Sequence, residues 1–181
     1  MKHTLTALVV NKPGVLNRVV SLFRRRGFNI DSLTVGRTQD SDISRMTIVM
    51  EGTELEAYRV EKNLYKLVDV IQIDHLTKKP TVKRDLALIK VSTNSDTRAE
   101  VAQLCEIFRA RIVDAAPGSV VIEVTGDEQK IESLTEMLRP IGIVEMVRTG
   151  VVAMGRGDHQ LSTNGYKPSP SANGNGHKSV I

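Results

Sequence analysis

Tryptophan is missing from this chain, and phenylalanine and tyrosine together supply only six residues. Nucleic-acid modules that stack bases need aromatic platforms, so this scarcity argues against one. The local clusters Arg24-Arg25-Arg26 and Lys78-Lys79 therefore read as solvated surface, and no nucleic-acid partner is expected. No apolar run approaches the ~18–20 residues that cross a bilayer, so no membrane partner is expected either. The opening Met1-Lys2-His3 leads straight into strand-like TLTALVV, without a basic n-region or small-residue cleavage site, and no leader is expected. The single cysteine, Cys105, cannot cross-link the chain to itself, which fits a reducing, cytoplasmic setting.

Chemistry-bearing constellations are equally scarce. Cys105 sits on the apolar stripe of a helical segment and reads as a core thiol. The histidines at 3, 75, 159 and 177 are scattered without metal-ligand spacing, so no metal site is expected. Glu54, Glu56 and Glu61 read as charges on a helix surface. No Gly-rich phosphate loop of the Walker or dinucleotide type is present. These absences give no support to an enzyme.

What is there is a pattern that repeats. The balance of 25 Lys+Arg against 21 Asp+Glu is mild, and 40% hydrophobic content suits a chain with a buried core. Thr4–Val10 reads as a strand, and Asn11-Lys12-Pro13-Gly14 as a tight loop. The helix that follows carries Val15, Leu16, Val19, Val20, Leu22 and Phe23 at i, i+3, i+4 spacing. Three arginines and Gly27 suit its C-terminus. Phe28–Arg37 is a second strand whose apolar phase slips near Asp31-Ser32, which predicts a β-bulge. Ile43–Glu51 is a third. Thr53 and Glu56 have capping-box spacing ahead of the stripe Ala57, Val60, Leu64, Leu67, and Asp69–Leu76 is a fourth strand.

Past the polar linker around Pro80 the order recurs. Asp85–Ser92 is a strand, Thr97–Arg109 a helix with Val101, Leu104, Cys105 and Phe108 inside, and 112–115 with 120–124 a hairpin around Pro117-Gly118. Asp127 caps a helix burying Ile131, Leu134, Met137 and Leu138, and Val144–Met154 is a closing strand. The fold class is α+β: two tandem ferredoxin-like βαββαβ units, spanning 1–78 and 83–155. Each sheet is expected to leave one face and its edge strands uncovered, which favours pairing between copies. Residues 156–181, rich in Gly, Ser, Asn and Pro, are expected to be disordered.

The ferredoxin-like fold also serves RNA modules and small hydrolases. The third strand lacks the aromatics of the former, and the first loop lacks the arginine wanted by a small phosphatase. The loop itself can hold an anion. A helix start offers unpaired N–H groups and a partial positive charge, and Gly14 admits a ligand with no Cβ in the way. N–H groups of Gly14, Val15 and Leu16 suit a carboxylate, while Asn11 and Asn29 suit an α-amino and α-carboxylate pair. Val15, Leu16 and Ile30 would line a pocket for a branched side chain. Pro13-Gly14 reads equally well as a plain turn, and Asn29 as a turn residue. The second unit has Asn94-Ser95-Asp96 at the corresponding place, where Asp96 would repel a carboxylate.

The stretch VVNKPGVLNRVVSLFRRRGFNIDSLTVG closely resembles the start of the small, regulatory subunit of acetohydroxyacid synthase, also called acetolactate synthase. The likeness continues through ISRMTIVMEG, NLYKLVDVIQI, RDLALIKV and GVVAMGRG, over about residues 2–157. The resemblance implies an ACT domain in the first unit, an ACT-like second unit serving association, and no activity or cofactor of the chain's own. It implies a homodimer through the ACT domains with valine bound at the joint. Asn11, Gly14, Val15 and Leu16 would come from one chain, Asn29 and Ile30 from its mate. The implied partner is a large catalytic subunit carrying thiamine diphosphate, Mg and FAD, which this chain activates and renders valine-sensitive. A free-standing amino-acid sensor for another enzyme, or a dimerisation module with an empty loop, remain alternatives.

Overall fold

A computed structural model describes residues 1–163. The elements run β1 (Lys2–Val10), α1 (Val15–Arg26), β2 (Ile30–Arg37), β3 (Ile43–Glu51), α2 (Glu54–Leu64), β4 (Val70–His75) and then β5 (Thr81–Ser92), α3 (Ser95–Ile107), β6 (Arg111–Ala116), β7 (Ser119–Gly126), α4 (Glu128–Leu138), β8 (Ile143–Arg148) and β9 (Val152–Gly155). They form two antiparallel sheets, ordered β2-β3-β1-β4 and β6-β7-β5-β8, each with two helices on one face. The α+β reading with two βαββαβ units holds.

Local chemistry explains most boundaries. Gly27 ends α1 in the left-handed region, with its N–H bonded to helix carbonyls. Thr53 and Glu56 form the reciprocal capping box expected of α2. The expected bulge in β2 is present, as a register shift between Ile30 and Ser32. Helix α3 begins at Ser95, two residues ahead of the sequence reading, because Asn94 is its cap and Thr97 answers in a second capping box. Two apolar stripes are narrower than expected. Leu16, Val20 and Met137 are exposed. At ~100° per residue, Leu16 and Val20 lie roughly 100–140° around the helix from Val15, off the arc that meets the sheet.

The largest departure is at the end of the second unit. The single strand expected over Val144–Met154 is broken into β8 and β9, and β5 begins at Thr81 rather than Asp85. One half of β5, Ala87–Val91, pairs with β8, while its first four residues pair with β9. That β5–β9 ribbon lies on the helix-free face of the first sheet. Arg45 donates to the Ala153 carbonyl at 2.8 Å, and the Val151 N–H donates to Ser32 Oγ at 3.0 Å. Lys2 of the first unit pairs with Glu128 of the second. The chain continues across the same sheet: Arg156 N–H donates to the Pro80 carbonyl, His159 pairs with Asp74, and Ser162 N–H donates to Gln72. The first sheet's other face is therefore covered by its own chain, and Thr4, Thr6 and Leu8 on it are buried. Of the segment expected to be disordered, 164–181 lies outside the described residues.

Gly150 is the pivot of this arrangement. Its φ is 84°, and a Cβ there would meet Ser32 Oγ at 2.7 Å and Thr34 Oγ1 at 3.1 Å. Gly150→Ala is expected to cost about 1–3 kcal/mol through backbone strain and crowding. Gly157→Ala, with φ 63° and nothing within 4 Å, should cost the strain alone, about 1 kcal/mol. Urea unfolding of the two variants measures the difference.

Candidate functional site

The loop after β1 is held from both sides. Val10 N–H donates to the Asp69 carbonyl and Asn11 N–H to that of Asp42, at 2.9 and 2.7 Å. The Asn11 side-chain amide donates to the Ser41 carbonyl at 2.8 Å, which leaves Oδ1 to accept. Gly14 then takes a left-handed conformation, φ 85°, as the cap residue of α1, and nothing lies within 4 Å of where its Cβ would be. Val15 N–H reaches back to Lys12 at 3.4 Å, and Arg18 N–H to Gly14 at 3.0 Å. The N–H groups of Gly14, Leu16 and Asn17 have no partner among the described residues.

Helix α1 also has no side-chain cap and no acidic residue in its first turn. The other three helices are capped by Thr53, Asn94 and Asp127. In α3, Asn94 Oδ1 accepts the N–H groups of Asp96 and Thr97, both at 2.9 Å. The second unit therefore fills the position that the first leaves open. Of the apolar residues, Leu16 is exposed and Ile30 half-buried, whereas the Val15 side chain packs into the core.

Asn29 and Ile30 do not meet this loop within one chain. Ile30 pairs with Met50, which pairs with His3 near the start of β1. Asn11 follows Val10 at the opposite end, so roughly 25 Å of sheet separates the two groups at ~3.4 Å per residue. Strand β2 is an edge strand bonded only to β3. An antiparallel two-fold pairing of β2 with a copy of itself would carry the second chain's Asn29 and Ile30 to the Arg37 end, the end at which Asn11 sits. Leu16 and Val20 on α1 and Val35 on β2 are exposed. Cavities of about 340 and 400 Å³ open instead at the seam between the units, where Lys2, Val49, Asp85, Glu128 and Val151 line both; none of the six candidate residues lines either.

Cys105 is buried in the second core, and burial pushes its thiol up, away from a nucleophilic thiolate. No helix of the described residues is long and apolar enough to cross a membrane. A histidine pair escaped the sequence reading because strand pairing, not spacing, brings it together. His3 Nε2 lies 3.1 Å from the Gly52 carbonyl, which can only accept, so Nε2 carries the hydrogen. His3 Nδ1 then accepts from His75 Nε2 at 3.2 Å. Burial, with His3 beside it, holds His75 below the usual histidine value. The folded state thus binds this proton less readily than the unfolded chain. Stability is present above about pH 6.5 and declines as pH falls below it. Thermal unfolding at pH 7.5 and 5.5 should show the fall, and His75→Gln should flatten it.

Comparison with known proteins places the two halves separately. The family model described as the AHAS small subunit-like ACT domain matches residues 5–72, and that for the small subunit of acetolactate synthase matches 84–157. A chain from Archaeoglobus fulgidus named "Probable acetolactate synthase small subunit" is 52% identical over 158 residues, 87% of this chain and 99% of that one. The acetolactate synthase small subunit of Mycobacterium leprae is 45% identical over 161 residues, covering 89% and 95%. The crystal structure of the acetolactate synthase small subunit from Thermotoga maritima matches at 40% identity and a TM-score of 0.81, covering 88% of this chain and 99% of that one.

Proposed function

The chain belongs to the acetolactate synthase small-subunit family, the regulatory and not the catalytic component, and from that premise we propose that it activates a large catalytic subunit and confers feedback inhibition by valine. The observation carrying the sensor reading is the uncapped start of α1 behind Gly14, set against three helices that cap themselves. The N–H groups of Gly14, Leu16 and Asn17 would take the effector's carboxylate. Oδ1 of Asn11, with Asn29 of a second chain, would take its ammonium. Leu16 and the second chain's Ile30 would flank its side chain, with Val15 fixing the helix to the core. The first unit, about residues 1–78, is the sensing ACT domain, and the second, about 83–155, an association domain.

Such a pocket exists only when two chains pair along β2, so valine stabilises whichever arrangement completes it. The shift equals its differential affinity for the two arrangements, and a coupling of ~1–3 kcal/mol changes activity or affinity about 5- to 150-fold. Thiamine diphosphate, Mg and FAD would reside in the catalytic partner, and the complex in the cytoplasm. Calorimetric titration of valine into the purified chain, with lysine as control, tests the reading. Saturable heat for valine alone, lost in Asn29→Ala, is expected. Reconstitution with the large subunit should then raise its activity and make that activity valine-sensitive. No heat, and no effect of the chain on the large subunit, overturns the proposal.

A further inference from the structure

The second unit presents an edge of its own. Strand β6 closes one side of its sheet, bonds only to β7, and all six of its residues are exposed. Ile112 and Val113 are 39% and 51% exposed, and Ile107 at the end of the adjoining α3 is 73% exposed. A row of open backbone groups flanked by apolar side chains is a template for another strand. In the internal repeat, β6 and α3 occupy the places of β2 and α1.

The register specifies the partner. Arg111 lies opposite Glu123 and Asp114 opposite Val121, so the extra residue Val113 is a bulge that puts Arg111 and Asp114 on one face, two positions apart along β7. That face is the helix-free one, because Ile122 between them belongs to the core. Neither Arg111 nor Asp114 has an ion-pair partner among the described residues, although Glu123 is the cross-strand neighbour of Arg111. An antiparallel two-fold pairing centred on Ile112-Val113 sets Arg111 opposite the second copy's Asp114, and Asp114 opposite its Arg111. The apolar pair meets itself at the axis. Charges on an edge ordinarily deter pairing; here their signs are complementary under the symmetry of a self-pair.

We propose that the β6 edge is a self-association surface on which a second copy of this chain docks, antiparallel, through reciprocal Arg111–Asp114 contacts. It is independent of the valine pocket, which lies on the first unit.

Sedimentation of the full-length chain across a concentration series tests it. Arg111→Asp and Asp114→Arg each place like charges across the axis, and each should raise the concentration at half-association of one step by at least about tenfold. The double variant, with the charges exchanged, should return to within about threefold of wild type, as merely structural damage would not. Circular dichroism and thermal unfolding of the single variants check folding, and valine titration checks that the other surface is intact. Single variants that are folded yet sediment as wild type overturn the proposal. So does a wild-type chain that stays monomeric throughout, which would make the charged bulge a protected edge. A double variant that fails to recover assembly also overturns it, since the edge would then serve a different partner.

Discussion

Gly14→Asp is expected to abolish valine inhibition while leaving activation of the large subunit intact. The glycine is the cap residue of α1, and its own N–H and those of Leu16 and Asn17 have no partner among the described residues. A carboxylate introduced there would fill the cradle itself, as the Asn94 side chain does in α3. It would also face the effector's carboxylate. Two unit charges ~4 Å apart at an effective dielectric near 20 repel by about 4 kcal/mol, so at least a hundredfold loss of affinity is expected after solvent screening. The fold should tolerate the change. Aspartate is among the residues that adopt a left-handed conformation, and a negative side chain suits a helix start. Gly14→Ala separates charge from backbone. It carries the strain, about 1 kcal/mol, into open space, and should keep its valine response within a few-fold of wild type. Titration calorimetry and inhibition assays on both variants read the difference. Loss of activation in Gly14→Asp would make the loop a docking surface and not a sensor.

What the sequence disclosed follows the range of the forces involved. Capping at Thr53 and Asp127, the left-handed Gly27 and the slipped phase at Asp31-Ser32 are set within a few residues, and each is where the pattern put it. The break between β8 and β9 is not local. It is set by Ser32 accepting from Val151 and by Arg45 reaching Ala153, partners more than a hundred residues apart. Gly150, at φ 84°, lies inside the break, and the sequence reading ran a single strand through it. The covered face of the first sheet escaped for the same reason: that face was expected to be open, and Thr4, Thr6 and Leu8 on it are buried by residues far along the chain. For the candidate site, Asn11 and Gly14 were legible because a strand-to-helix loop is short. Asn29 was legible as a polar residue only; its place in the proposed pocket would depend on an edge strand and on a chain that is not its own.

That dependence makes the strongest test a mixing experiment. Gly14→Asp and Asn29→Ala chains are each expected to bind no valine, because every pocket in each homodimer carries one lesion. Exchange of chains produces heterodimers. By two-fold symmetry, one pocket of a heterodimer takes its loop from the Gly14→Asp chain and its Asn29 position from the other, and carries both lesions. The remaining pocket combines the intact loop of the Asn29→Ala chain with the intact Asn29 of its mate. Random exchange makes half of the dimers mixed, so about a quarter of the wild-type sites should reappear from two inactive proteins, with wild-type affinity. A pocket assembled within one chain cannot recover in this way, because no single chain then holds both intact halves. Recovery of valine-specific heat on mixing, absent from each protein alone, would establish that the site is shared. Continued silence after exchange has been verified by mass spectrometry of the mixed dimers would place Asn29 outside the site. The roughly 25 Å between the two groups along one sheet would then be the reason.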